Sequence, residues 1–303
     1  MRTPTLLSMI ALGVAAAAAA AGAGCGSKKA SPPARGAPAE PPATPISALE
    51  IRRVTADLST PDPTAAYWRD VPRGQVTLLA QPMVTPRPEV TTTEQLTVAA
   101  VHNATHVAIR LRWTDAERSE AGRLGEMSDA VAVQFPVGSI ADTPPFMGGP
   151  SLPVHIFHWR AQYQRDAEHG KPEMTDLYPH MSVDMYAMDF KEAKGGSPED
   201  KETFSPGRAA GNPQSYPKSG VDEIIAEGFA TSAVQEGHSS AARGVWENGA
   251  WTVVITRPLV IEGGSTLAVG GDTGVAFAVW QGGKGEVGSR KSVMMSWLPA
   301  KVL

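Results

Sequence analysis

A single cysteine, Cys25, stands in a chain of 303 residues. One thiol excludes an intrachain disulfide framework, a CxxC zinc site, a cysteine-held iron–sulfur cluster and covalent CxxCH attachment of haem. An excess of one charge is also missing: 27 Lys and Arg against 31 Asp and Glu give a net charge of −4. That balance supplies no basic footprint for nucleic acid. There is no GxSxG elbow, no Walker loop, no HExxH helix and no GxGxxG turn that opens a helix after a strand. The common hydrolase, nucleotide and metalloprotease signatures are therefore absent. The remaining Asp, Glu and His residues show no hydrolase spacing, and no catalytic residue is assigned.

Glycine (30), proline (26) and a hydrophobic fraction of 42% are what the chain has in quantity. The amino terminus reads as a leader over residues 1–25: Arg2 is followed by an apolar, alanine-rich run from Leu6 to Ala21, then Gly22-Ala23-Gly24-Cys25. Small residues before a cysteine at the end of such a run resemble a bacterial lipoprotein signal, with Cys25 as the lipidation site. Gly22 stands where a leucine-like residue is usual. This leader predicts the periplasmic side of a bacterial membrane, with a lipid anchor at Cys25. Residues 26–45 are Pro/Ala-rich and read as an extended tether. The folded domain is expected over 46–303.

Within that domain the pattern is of short strands: Gln75–Ala80, Gln95–Val101, His106–Trp113, Asp129–Val137, Val154–Trp159, Ala242–Trp246, Ala250–Arg257, Leu267–Val269, Val275–Trp280 and Val293–Trp297. Val107, Ile109 and Leu111 alternate with Ala108, Arg110 and Arg112, the period of a strand with one buried face. Asn248-Gly249 is a hairpin signal. Strands seldom alternate with long amphipathic segments, so the expected fold is all-β: an antiparallel β-sandwich with a few short helices. A polar insertion at about 164–220 interrupts it, and one helix is expected around Val221–Glu227.

Two segments hold the candidate site. Pro144–Ala161 reads PPFMGGPSLPVHIFHWRA. His155 and His158 are three apart on a strand and point to opposite faces, so they do not share a metal. Met147 is by residue type a core filler. Between two prolines and Gly148-Gly149, a rigid loop also suits a soft metal ligand, and the glycines admit a flat ligand or another backbone. The second segment, Val275–Trp297, carries Lys291 directly before its last strand. Lys291 is either a solvated strand-end charge or, if burial lowers its pKa, an amine ligand. Lys284 and Arg290 in the same loop are expected to stay in water.

The ordered set YWRDVP (Tyr67–Pro72), VTLLAQP (Val76–Pro82), IRLRWTD (Ile109–Asp115), DAVAVQFP (Asp129–Pro136), the Pro144–Ala161 segment, AAGNP (Ala209–Pro213), AEGFAT (Ala226–Thr231), WENGAWTVVITRPL (Trp246–Leu259) and Val275–Trp297 resembles the haem b-binding γ subunits of ethylbenzene dehydrogenase and its relatives. Those relatives include dimethylsulfide dehydrogenase, selenate reductase and chlorate reductase, of the type II DMSO reductase family. The resemblance implies a sandwich holding one non-covalent haem b, with iron ligated by a methionine and a lysine. It places these ligands on Met147 and Lys291, with Ile156, Phe157 and Trp159 as pocket wall. It implies an electron-transfer role beside iron–sulfur and molybdenum subunits, or with a periplasmic c-type cytochrome. The lipid anchor, the insertion after Tyr163 and Gln281-Gly282-Gly283 in place of an Asp-Gly turn depart from the family's pattern.

A different class remains open from the residues. AAVHNATHVAIRLRWTD (Ala99–Asp115) also resembles carbohydrate-binding and DOMON-type sandwich modules. In that reading Trp113, Trp159 or Trp280 would stack on a ligand.

Overall fold

The computed structural model describes residues 42–120, 122–172, 174–180 and 219–303 except 236 and 238, with 207, 210 and 212 besides. Cys25, the leader, most of the tether and most of the polar insertion lie outside the described residues.

The strands are β1 (Thr44–Pro45), β2 (Leu49–Arg53), β3 (Gly74–Thr77), β4 (Leu79–Ala80), β5 (Gln95–His102), β6 (His106–Thr114), β7 (Ala130–Pro136), β8 (Val154–Arg160), β9 (Val221–Ala226), β10 (Ala233–Val234), β11 (Ala241–Glu247), β12 (Ala250–Pro258), β13 (Asp272–Trp280), β14 (Ser292–Val293) and β15 (Leu298–Val302). Two short helices follow β8: α1 (Ala161–His169) and α2 (Met174–Leu177). One sheet runs β10-β9-β8-β7-β13, with β14 and β4 beyond. The other runs β15-β2-β5-β6-β12-β11. Strand β13 belongs to both: Asp272–Val275 pair with β15, and Ala276–Trp280 pair with β7. The architecture is the expected β-sandwich. Most pairs are antiparallel, but β2 lies parallel to both β15 and β5.

Alternation along the strands builds the core between the sheets. Val131, Val133 and Phe135 of β7, Phe157 and Trp159 of β8, and Phe277 and Val279 of β13 face inward. They meet Leu96 and Val98 of β5, Leu111 and Trp113 of β6, and Trp251 and Val253 of β12. Trp113, Trp159 and Trp251 pack on one another, with centroids 5.0 to 6.5 Å apart. The edge strand β11 is covered at Gly244, whose N–H donates to Gln164 Oε1 (2.7 Å) and whose carbonyl accepts from Gln164 Nε2 (3.0 Å). Such cover removes the unpaired groups that make an edge adhesive.

Three sequence expectations change. Val221–Glu227 is not a helix: Val221–Ala226 is strand β9, paired with β8. Leu267–Val269 forms no strand, although Leu267 N–H bonds the Leu259 carbonyl at 2.7 Å. Val293–Trp297 is no continuous strand either, because the chain leaves β14 at Val293 and resumes pairing only at β15.

The outer faces of the two sheets differ. That of β5, β6 and β12 is covered by Leu58, Trp68 and Val71. That of β7, β8 and β13 is lined by Ala130, Ala132, Ile156, Ala278 and Trp280. Small side chains leave this second face open where larger ones would have closed it.

Candidate functional site

A cleft with some 510 Å³ of empty space, solvent at its mouth included, lies on that alanine-rich face. Ala132, Gln134, Ala276 and Ala278 form its floor, Met147 and Phe146 come from the β7–β8 loop, and Lys291, Val293 and Met295 from the segment around β14. Met147, Lys291 and Ile156 thus meet at one cleft from separate parts of the chain.

Phe157 and Trp159, expected as pocket wall, are instead fully buried between the sheets. The reason is the two-residue period of β8: if Ile156 points outward, its odd-numbered neighbours point inward. Trp113 is buried in the same core, so of the three tryptophans considered for stacking only Trp280 reaches the cleft. His155 and His158 do face opposite ways: His155 stacks on Phe157 at 4.4 Å, and His158 on Trp280 at 4.6 Å.

The Met147 loop is held tightly. Met147 has φ 64°, a left-handed conformation that non-glycine residues seldom adopt and that surrounding contacts must enforce. Its carbonyl accepts from Gly228 N–H at 2.8 Å, and Gly148 N–H donates to the Pro144 carbonyl at 3.2 Å. Gly148 has φ 77°, and a Cβ there would stand 2.5 Å from the Leu152 carbonyl oxygen and 2.9 Å from that of Ala226. The glycine therefore admits neighbouring backbone. Gln134 Nε2 donates to the Pro145 carbonyl at 2.9 Å and ties the loop to the floor.

The segment carrying Lys291 is fixed at both ends. Gly282 N–H donates to Asp129 Oδ1 at 2.8 Å, and Gln281 Nε2 donates to Thr93 Oγ1 at 2.9 Å. Asp129 also accepts from Ser119 N–H (2.7 Å) and Trp251 Nε1 (2.9 Å). Burial and the neighbouring Asp115 push its carboxyl up to about 7 against these bonds. The Lys291 carbonyl accepts from Gln81 N–H at 3.0 Å. Trp297 Nε1 donates to the Thr143 carbonyl at 2.7 Å, linking this segment to the Met147 loop.

Lys291 has no carboxylate partner among the described residues, and burial pulls its amine down to about 8. Deprotonation is correspondingly easier, as a metal-binding amine requires. Lys284 and Arg290 are exposed. Burial, with Arg160 and Lys291 nearby, holds His158 well below its usual value. Among the described residues no group of three or more His, Cys, Asp or Glu could hold a metal ion.

Sequence reasoning missed Gln134 and the alanines. A glutamine inside AVAVQFP was the available signal, since a polar residue in an apolar strand requires a partner.

The family model described as ethylbenzene dehydrogenase matches residues 65–292. A protein of Haloferax mediterranei, named as heme subunit ORF7 of a respiratory nitrate reductase, is 27% identical over 84% of this chain and 74% of its own length. The chlorate reductase subunit gamma of Ideonella dechloratans is 26% identical over 78% of this chain and 77% of its own. The dimethylsulfide dehydrogenase subunit gamma of Rhodovulum sulfidophilum is 25% identical, over 81% and 77%. Among solved structures, a carbohydrate-binding protein of Bacteroides uniformis superposes with a TM-score of 0.42 at 9% identity, over 84% of this chain and 91% of that one. So distant a likeness says nothing of a ligand.

Proposed function

Because the chain belongs to the ethylbenzene dehydrogenase family, we propose that it is the electron-transfer subunit of an oxidoreductase, binding one non-covalent haem b with Met147 and Lys291 as axial ligands. The observation that carries this reading is the shared cleft: the two donors the resemblance singles out line the same space.

The residues fit the group. A flat ligand needs a flat floor, and Ala132, Ala276 and Ala278 present only methyl groups. Bound haem b supplies a one-electron couple at its iron. Met147 offers a thioether, which favours the reduced metal and raises its potential. Lys291 offers an amine lone pair once its proton has left, and the buried site assists that loss. Ile156, Trp280 and Met295 give the cleft apolar walls, and an apolar shell tunes the potential further. With both axial positions taken, substrate chemistry falls to other subunits. The names of the relatives, as heme or gamma subunits of reductases and a dehydrogenase, support a non-catalytic role within a complex.

The partners in this reading are iron–sulfur and molybdenum subunits, or a periplasmic c-type cytochrome. The leader sequence supports attachment at Cys25 to the periplasmic side of a membrane. The chain should copurify red from a periplasmic preparation, with about one haem b per chain by pyridine haemochrome assay. A folded, colourless protein that takes up no added haem would overturn the assignment. Cys25→Ser should release the protein from membranes; a variant still bound there would contradict the lipid anchor.

A further inference from the structure

The indole of Trp280 touches both sides of the Lys291 problem. Its ring lies 5.0 Å from Lys291 Nζ. Its Nε1–H donates to the Gly288 carbonyl at 2.9 Å, in the turn just before Lys291. The same ring meets the His158 imidazole at 4.6 Å, with 30° between the planes. His158 is on β8 and Trp280 on β13, with β7 between them. Their side chains can meet only across β7, where Ala130 and Ala132 leave the space. Arg160 Nη2 in turn lies 3.5 Å from His158 Nδ1.

From this arrangement, which rests on the haem-ligation reading above, we propose that Trp280 is the positioning residue for Lys291. It fixes the turn that delivers the lysine and holds the amine within the cleft. No carboxylate among the described residues does that work, so the aromatic face is the oriented contact at the amine end. A ring attracts a charged ammonium, so the Trp280 face guides the side chain toward the cleft. His158, 4.6 Å behind it, keeps the indole from turning away.

The test uses the full haem-loaded chain and two variants, Trp280→Phe and Trp280→Leu, with Lys291→Ala as reference. Two readouts are taken: the low-spin fraction by electron paramagnetic resonance, and the rate at which carbon monoxide binds the reduced protein, which requires an axial ligand to leave. Trp280→Phe keeps the ring but loses the bond to Gly288, and should speed carbon monoxide binding about threefold while staying low-spin. Trp280→Leu should speed it about tenfold or more and move the low-spin fraction toward that of Lys291→Ala. A role in packing alone would lower the melting temperature and leave both readouts unchanged. If Trp280→Leu does not fold, Trp280→Phe decides: a wild-type rate overturns the proposal. If the wild type matches Lys291→Ala from the outset, Lys291 is no ligand, and the failure belongs to the ligation reading.

Discussion

Gly148→Ala is the sharpest probe of the Met147 loop, because a second glycine supplies its control. Gly148 has φ 77° and Gly263 φ 72°. A side chain at either position meets the same backbone penalty, about 1–2 kcal/mol for a left-handed conformation. Their surroundings differ. A Cβ at Gly263 meets nothing within 4 Å, whereas at Gly148 it stands 2.5 Å and 2.9 Å from two carbonyl oxygens. Those oxygens belong to backbone and cannot rotate aside, so the loop must shift, at a further cost of about 1–3 kcal/mol. The expected destabilisation is about 1–2 kcal/mol for Gly263→Ala and about 2–5 kcal/mol for Gly148→Ala. Urea unfolding measures both. The second expectation is functional: Gly148→Ala displaces Met147 and weakens the thioether band of the oxidised haem spectrum, while Gly263→Ala leaves it intact. Equal losses of stability with unchanged spectra in both variants would refute the argument that close backbone contact sets the position of Met147.

Two further predictions concern the core and the floor. Burial alone would raise the Glu223 carboxyl, but His155 at 3.7 Å and the Ser239 and Ser240 N–H groups, each 2.6 Å from Oε1, outweigh it and bring it down to about 2. A depressed carboxyl stabilises the fold above its unfolded value, near 4.5, and that contribution is lost as pH falls toward 2; its size is about 3 kcal/mol. Glu223→Gln should therefore flatten this part of the acid limb in denaturant unfolding, and parallel curves for variant and wild type would show that Glu223 is not its source. Ala278→Leu places a branched side chain on the floor of the cleft; haem affinity should drop about tenfold or more. Unaltered affinity would mean that the ligand does not lie on this floor.

Much of the sandwich was legible because its strands alternate. His106–Thr114 shows the two-residue period directly, and Asn248-Gly249 marks the hairpin between β11 and β12. Val221–Ala226 misled because Val221, Ile224 and Ile225 have the i, i+3, i+4 spacing of a helix face. Pairing with β8 overrides that local pattern, and Glu223 is buried with the Ser239 and Ser240 N–H groups as donors. On β7, side-chain size alternates while polarity does not, since alanine and valine are both apolar. Sequence could therefore indicate the strand but not that Ala130 and Ala132 line a cleft. The Phe157 and Trp159 expectation failed for a related reason: aromatic residues suit a pocket wall and a core equally well, and only the register of β8 separates the two. Met147 and Lys291 carry no periodic signal. Their local settings made them candidates, the family resemblance assigned them as ligands, and their shared cleft follows from the fold.

Ligation of one haem b by Met147 and Lys291 has a spectral signature. The most direct measurement is the absorption and electron paramagnetic resonance spectrum of the haem-loaded full chain beside Met147→Ala, Lys291→Ala and, as an exposed control, Lys284→Ala. A six-coordinate low-spin haem is expected in the wild type and in Lys284→Ala. In Met147→Ala and Lys291→Ala an open or replaced axial position is expected, with high-spin character. Unchanged low-spin spectra in both of those variants would contradict this ligation.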